Sequence, residues 1–466
     1  MTKDMTTGSP VKLILGFAFP MFLGMLFQQF YSMVDTMLVG QFLGVNPLAG
    51  VGSTGSLNFM VIGFCTGVCS GFAIPVAQMF GAKQESELRK FVTNSAWLSI
   101  VFSIVLTTAV AILCRQILIW MNTPEEIFDY AYDYIFVVFL GIPCTFLYNL
   151  LSSIIRSLGD SKTPVIFLAI SSVLNIGLDL LLILVIPMGV AGAAWATVIA
   201  QGFSGLVCLL YMRKKYPILH ATKEEWMPRR RYMMQLCGIG IPMGLQYSIT
   251  AIGTIVLQAA VNGLGAVYVA AVTAAGKINS FVSCPIEALG FTMAPYSGQN
   301  MGAGKIKRIQ QGVLAASVTG FILSAVLFGI VFLTGKQMAL LFVDASETAI
   351  IQYAYQYLLV CTGGYCLLTL VDVVRFSIQG MGFSVFAISA GVLEMIARIL
   401  AAVILVPTIA YMGICLANSL AWVFADVFLI PAFFFCRNKL LKRHAMAERI
   451  QETEQQHSVK QEVATH

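Results

Sequence analysis

Charge is what this chain has least of. Of its 466 residues only 28 are Lys or Arg and 22 are Asp or Glu, 11% in all, against roughly 25% in an ordinary soluble domain. A soluble fold is thereby excluded. Histidine is scarcer still: His220, His444, His457 and His466 all fall in polar loops or the tail, which argues against haem or a histidine-ligated metal inside a membrane. The eleven Cys are odd in number, form no C-x-x-C pair and sit mostly in apolar stretches, as Cys65 and Cys69 do. That pattern offers neither a disulfide framework nor a zinc site. No segment alternates in the ~10-residue pattern of an outer-membrane barrel. A recognisable nucleophile, metal motif or Gly-rich phosphate loop is also lacking, so no enzyme, cofactor or bound metal is expected. The start, "MTKDMTTGSP", is polar and short, and the apolar segment behind it is too long for a cleavable signal.

What the chain has instead is apolar length. Its residues are 58% hydrophobic and its mean hydropathy is +0.84. Runs of 18 or more apolar residues recur along nearly the whole sequence, and each reads as a membrane-crossing helix. Twelve are expected, at 13–43, 48–79, 91–113, 129–155, 164–186, 190–211, 234–264, 268–300, 310–333, 350–378, 384–406 and 411–435. The fold class is therefore an all-α polytopic membrane protein. Basic residues follow the even-numbered spans: Lys83, Arg89 and Lys90 after span two, Arg156 and Lys162 after span four, and Arg213, Lys214, Lys215, Lys223 and Arg229–Arg231 after span six. Lys305, Lys307 and Arg308 follow span eight, and Arg437, Lys439, Lys442 and Arg443 follow span twelve. Loops at the other face carry only Arg115 and Lys336 beside acids such as Glu125, Glu126, Asp344 and Glu347. By the positive-inside rule both termini are cytoplasmic, and the net charge of +6 reflects topology rather than nucleic-acid binding.

The expected organisation is an N-terminal six-helix bundle over 1–212, a basic cytoplasmic linker at 213–232, a C-terminal six-helix bundle over 233–436 and a polar cytoplasmic tail at 437–466. The bundles read as repeats. "FPMFLGM" near Pro20 answers "IPMGLQY" near Pro242, and "QMFGAK" at 78–83 answers "QNMGAG" at 299–304. "IIRSLGD" at 154–160 answers "VVRFSIQG" at 373–380, and "SSVLN" at 171–175 answers "SAGVLE" at 389–394. Four matches in one order at a nearly constant offset mark a duplication. Because six spans is an even number, both repeats enter from the same face. Their pseudo-twofold axis then runs along the membrane normal and leaves a cleft between two bundles, an architecture of transporters.

Ionisable residues inside the apolar spans are the best pointers to a transport pathway, since hydrocarbon tolerates them only at a cost of several kcal/mol. They are Asp35, Asp179, Lys277, Glu287, Asp372, Arg375, Glu394 and Arg398. At 1.5 Å per residue, Asp179 lies about 22 Å up a core ~30 Å thick, and Thr197 about 12 Å down from the outer face. Asp35 shares that outer half, and Asn175, one helical turn before Asp179, faces the same way. Asp35, Asn175, Asp179 and Thr197 are thus candidates for one layer with no base at its level. Burial and mutual repulsion there favour a proton on at least one carboxylate, or a small hard cation between them. The bland alternative is two acids capped by hydroxyls and backbone.

The second bundle reads differently. Glu394 and Arg398 stand one turn apart and can neutralise each other, as a structural tie or as part of a gate. Asp372 and Arg375 are spaced for an ion pair at a helix mouth. Glu287, in "CPIEALGF", has no evident partner but Lys277, which is too far along a straight helix, so Glu287 and Asp372 are candidates to meet substrate. Pro20, Pro75, Pro143, Pro242, Pro285 and Pro295 interrupt spans, and each can mark a bend. The 22 Met and the 11% aromatic content suit either an adaptable lining or plain lipid contact.

Together, "VDTMLVG" after the span-one proline, "QMFGAK", "RSLGDSKTP" at 156–164, "NIGLD" at 175–179 and "GVAGAAWAT" at 189–197 resemble the multidrug and toxic compound extrusion (MATE) family, over about residues 10 to 435. The resemblance implies two six-helix bundles that expel small organic, often cationic, compounds in exchange for inward H⁺ or Na⁺. It implies that Asp35, Asn175, Asp179 and Thr197 match the family's first-lobe cation site, and that Pro20 matches a first-helix proline proposed to bend when that site is loaded. Asp372 resembles a second-lobe acid of some members. Those members carry a glutamate eight residues after the seventh-span proline, where this chain has Thr250. The expected location is a bacterial cytoplasmic membrane, with substrate, coupling ion and lipid as partners and no nucleic acid. The rival is a lipid-linked precursor flippase of related architecture, for which a strongly cationic cavity is expected; acids dominate here.

Overall fold

The computed structural model describes residues 3–464, with side chains as far as Met446 apart from His444. His466 and the side chains of His444 and His457, in the expected tail, lie outside what is described. Among the described residues the chain forms sixteen α-helices: α1 Pro10–Leu43, α2 Val45–Ser53, α3 Gly55–Gly81, α4 Glu85–Trp120, α5 Glu125–Leu140, α6 Ile142–Ser157, α7 Lys162–Leu180, α8 Val190–Lys215, α9 Arg230–Leu264, α10 Ala266–Gly302, α11 Ile306–Ala339, α12 Thr348–Gly363, α13 Tyr365–Gly380, α14 Ser384–Leu400, α15 Val406–Ile409 and α16 Tyr411–Ala464. Ten are long and apolar enough to cross a membrane, and twelve crossings result when α5–α6 and α12–α13 each count as one. Helix is what hydrocarbon demands, because it satisfies every backbone donor within the segment. The outer surface is correspondingly apolar: Ile112, Leu333 and Val427 are each more than 70% exposed.

Three boundaries differ from the sequence reading. Residues 45–53 form a separate short helix, not the start of span two. Arg115, expected in a loop, lies inside α4, which runs on to Trp120. Spans four and ten are each bent by 48°. The bends fall at Gly141, just before Pro143, and at Gly364; both amides still reach the carbonyl four residues back, Val137 at 3.0 Å and Val360 at 3.3 Å.

The duplication extends to details of the backbone. Besides the paired bends, α7 and α14 both finish in a π-helical turn, Leu181–Val185 and Ala401–Leu405. Left-handed residues recur at matching places: Gly44 and Gly265 after α1 and α9, Gly159 and Gly382 after α6 and α13, and Gly189 and Ala410 after the π turns. Pairing Gly159 with Gly382 shifts one motif. Arg156 then corresponds to Gln379, one helical turn from Arg375, the partner that the "IIRSLGD"/"VVRFSIQG" match implies.

Each half has its own apolar core. A third cluster joins the halves, with Ile14, Phe17 and Met21 of α1 against Ala288, Leu289, Met293 and Tyr296 of α10. Beside it α3 lies against α9 at very close range. A Cβ at Gly67 or Gly71 would come within 2.5 Å of the α9 backbone, so only small residues fit this seam. Among the described residues, most hydrogen bonds between the halves lie towards the end of the molecule where the basic loops gather, called here the basic end. The farthest from it runs from Ser248 Oγ to the Met60 carbonyl at 3.2 Å.

The stretch at 213–232 is packed rather than loose. Glu225 accepts hydrogen bonds from Arg89 Nε at 2.8 Å, Ser86 Oγ at 2.9 Å and the Thr222 amide at 2.9 Å. Its own carbonyl accepts from Thr93 Oγ1 at 2.6 Å, and the Arg229 amide donates to Asn94 Oδ1 at 2.8 Å. The Arg89 hydrogen bond holds the Glu225 carboxyl well below the usual glutamate value of 4.5, at about 2. A depressed carboxyl stabilises the folded state above its unfolded value and loses that contribution as pH falls towards the folded one. Protection of the Arg229–Arg231 bonds from trypsin should therefore be full at neutral pH. Glu225→Gln should speed cleavage there about tenfold or more, the effect of one charge-assisted hydrogen bond. Hydrogen exchange of the same segment should show wild-type protection fading as pH falls from 4.5 towards about 2.

Candidate functional site

In the first half, α7 enters from the basic end and carries Asn175 and Asp179 one turn apart. Asp179 is fully buried and Asn175 nearly so. The Asn175 amide points at Thr197 Oγ1 of α8, 3.4 Å away. Asp35, on α1, is also buried and lies within electrostatic reach of Asp179. The structure thus brings the four predicted residues into one neighbourhood of α1, α7 and α8. Their oxygens are poorly served. Asp35 Oδ1, Asn175 Oδ1 and both carboxylate oxygens of Asp179 have no hydrogen-bond partner among the described residues. Buried acceptors left this way cost several kcal/mol unless a proton or cation meets them. Two phenols that sequence reasoning passed over share the site: Tyr31 and Tyr134 both feel the charges of Asp35 and Asp179. Tyr31 was discoverable, being one turn before Asp35 on the same helix. Tyr134 comes from α5, and only the fold brings it near.

The second half gathers several of its charges into an ion-paired core. Glu394 is bracketed by two guanidiniums, Arg375 from α13 and Arg398 Nη1 at 3.6 Å on its own helix. All three are buried. Arg398 also reaches Asn418 Oδ1 at 3.4 Å, and Asn418 donates to the Tyr357 hydroxyl at 3.1 Å. This corrects one expectation. Arg375 is drawn to Glu394 on the neighbouring helix rather than to Asp372 on its own, and Asp372 interacts with it only through space. The approach of α14 to α13 outweighs i,i+3 spacing here.

That leaves three acids without a dedicated base. Asp372 and Asp426 are buried and Glu287 is half-buried. Asp372 lies within reach of the charges of both Glu287 and Asp426. Glu287 accepts from Ser283 Oγ at 2.6 Å, while Lys277 is exposed and unavailable to it. Asp426, on α16, has both oxygens unpartnered among the described residues. It was overlooked in the sequence although its signal equals that of Asp35: a lone acid in an apolar run. Pro20 sits within an unbroken α1.

The MatE family model matches residues 20–181 and 242–404, one block in each repeat. "Probable multidrug resistance protein YoeA" of Bacillus subtilis (strain 168) is 29% identical over 386 residues, 80% of this chain and 83% of the relative. "Probable multidrug resistance protein YpnP" of the same organism is 28% identical over 355 residues, 76% of this chain and 79% of the relative. Among solved structures, "Outward-facing conformation of a multidrug resistance MATE family transporter of the MOP superfamily" superposes with a TM-score of 0.87 at 22% identity, covering 95% of this chain and 99% of the other.

The Arg375–Glu394–Arg398 triad makes a stability prediction. Removing the shared anion strands two buried cations, so Glu394→Gln should cost about 3–5 kcal/mol. Arg398→Met should cost less, because Glu394 keeps Arg375. Thermal unfolding of the detergent-solubilised variants checks the order. Equal midpoints for wild type and Glu394→Gln would show that the triad is not a structural tie.

Proposed function

Because this chain belongs to the MatE family, we propose that it is a cation-coupled antiporter exporting small organic, preferentially cationic, compounds by alternating access. The observation that carries this reading is the pair of buried carboxylates, Asp35 and Asp179, with oxygens left unsatisfied and no base at their side. Such a pair binds a proton or Na⁺ and releases it again, as a coupling site must. The orientation follows from the basic loops: the basic end, with the termini, faces the cytoplasm.

In the cycle, substrate enters the cleft between the bundles from the cytoplasm and meets Glu287 and Asp372. The bundles then rock to face outward. H⁺ or Na⁺ from outside occupies the layer of Asp35, Asn175, Asp179 and Thr197, neutralises the carboxylates and alters the packing of α1, with Pro20 as the point of flexure. Substrate binding weakens and the compound leaves. For the ion to drive this step it must favour one state over the other by a few kcal/mol. Glu394 and Arg398 hold the second bundle together through these movements. Flipping of lipid-linked precursors is disfavoured by the same acids, since an anionic headgroup calls for uncompensated bases.

Purified protein in liposomes, loaded with a fluorescent cationic dye and given separate pH and Na⁺ gradients, tests the reading. One of the two gradients should drive transport in wild type, and Asp35→Asn or Asp179→Asn should reduce gradient-driven transport to the leak rate. Glu287→Gln should chiefly raise the KM for cationic dyes. Full-rate transport by Asp35→Asn would remove that residue from the coupling site.

A further inference from the structure

The repeated motifs "QMFGAK" and "QNMGAG" have no part in the cation site, yet they end α3 and α10 where the halves meet. Gln78 Nε2 of the first half donates to the Gly380 carbonyl of the second at 2.9 Å. Gln299 Nε2 of the second half donates to the Ser157 carbonyl of the first, also at 2.9 Å. The acceptors are themselves repeat equivalents, the last residues of α13 and α6. The final carbonyls of a helix have no partner within it, so each half supplies a glutamine amide to cap the other half's helix end. The backbones are brought together by the glycines of the same motifs. A Cβ on Gly81 would collide with the Gln299 carbonyl, and one on Gly302 with the Gln78 carbonyl.

One arm of this arrangement is reinforced. Gln299 is fully buried, and its Oε1 accepts from the Met5 amide at 2.8 Å. Asn300 Nδ2 donates to the Met5 carbonyl at 3.2 Å, Lys305 Nζ to the Thr6 carbonyl at 2.9 Å and Arg308 Nη2 to the Gly8 carbonyl at 2.6 Å. The Lys3 amide meanwhile donates to the Leu158 carbonyl of the first half at 3.0 Å. Residues 3–8 are thus a strap lying across both halves, with Met5 buried beneath it.

We propose that Gln78 and Gln299 form a pseudo-twofold clasp that holds the basic end shut, that the N-terminal strap locks the Gln299 arm, and that their release is the step that opens the cleft at that end. The inference rests on the alternating-access reading given above. Neutral amide–carbonyl bonds have the right strength for a gate that must open in every cycle: each biases the closed state about fivefold and the pair about 25-fold. A charged pair would hold harder and would attract the exported cations.

Hydrogen exchange of the full-length protein, without substrate or gradient, tests this. Gln78→Met and Gln299→Met keep the side-chain length and remove the donor. Gln78→Met should raise exchange at residues 154–163, 296–305 and 376–385 about fivefold; Gln299→Met, which also removes the acceptor of the Met5 amide, should raise it about 25-fold, and the double variant should exceed both. Exchange at 44–54 and 264–272, at the opposite end, should fall as that end closes. Gln299→Met alone should also free residues 3–8, which Gln78→Met should leave protected. Unchanged exchange, a rise confined to the basic end, or a rise at both ends would each overturn the clasp. Because no ion or dye takes part, failure of the coupling site at Asp35 leaves this result standing, and the reverse also holds.

Discussion

Hydrocarbon cannot solvate a polar group, and most features of this molecule follow from how that debt is settled. Backbone groups are satisfied within helices, and the ends of those helices, where four carbonyls are left over, sit towards the two faces. Side-chain charges turn inward and must find partners there. The second half finds some of them in Arg375, Glu394, Arg398 and Asn418, where one carboxylate lies between two guanidiniums and Arg375 is also within electrostatic reach of Asp372 and Asp426. The first half does not: Asp35 and Asp179 are left facing one another and two tyrosines. An uncancelled acid is tolerable only if something mobile cancels it, so the deficit is informative in a way that the ion-paired triad is not.

The two halves share a backbone and differ in chemistry. Bends of 48°, π turns and left-handed residues recur at equivalent places, because those features determine whether six helices close into a bundle. The polar residues carried on α7 and α14 differ: Asn175 and Asp179 on one, Glu394 and Arg398 on the other. Duplication therefore conserves the mechanical frame while freeing one copy to specialise. At the basic end the symmetry reappears in Gln78 and Gln299, which contact each other's repeat and cannot change independently.

How far the sequence could be read follows the range of the interactions involved. Apolar runs are local, so the spans were legible, as was the duplication. The co-location of Asp35, Asn175, Asp179 and Thr197 was legible because depth along a helix is arithmetic. The bends at Gly141 and Gly364 were not, since an apolar run looks the same straight or broken. Arg375 was assigned to Asp372 because spacing along one helix is visible and the approach of α14 to α13 is not. Asp426 was missed without that excuse. The strap illustrates the opposite limit: residues 3–8 have no apolar pattern, and their order comes from the burial of Met5 and from backbone bonds to Leu158, Gln299, Asn300, Lys305 and Arg308, residues far away in the chain.

These pieces meet in α1. Its first half, through Ile14, Phe17 and Met21, belongs to the core shared with α10 of the other repeat. Its second half carries Asp35, and Val39 packs with Tyr134, Ile183 and Val190 of its own repeat. Pro20 lies within the stretch held against α10, which continues through Met21, Phe22 and Met25, and as an internal proline it removes one backbone hydrogen bond from the helix. A change of charge at Asp35 acts on the upper part of this helix, and the lower part is held against the partner half beside the strap that precedes it. One continuous element therefore touches both the acid layer and the closed end. Coupling between them needs no longer path than the helix itself, provided that it has two packings of nearly equal energy.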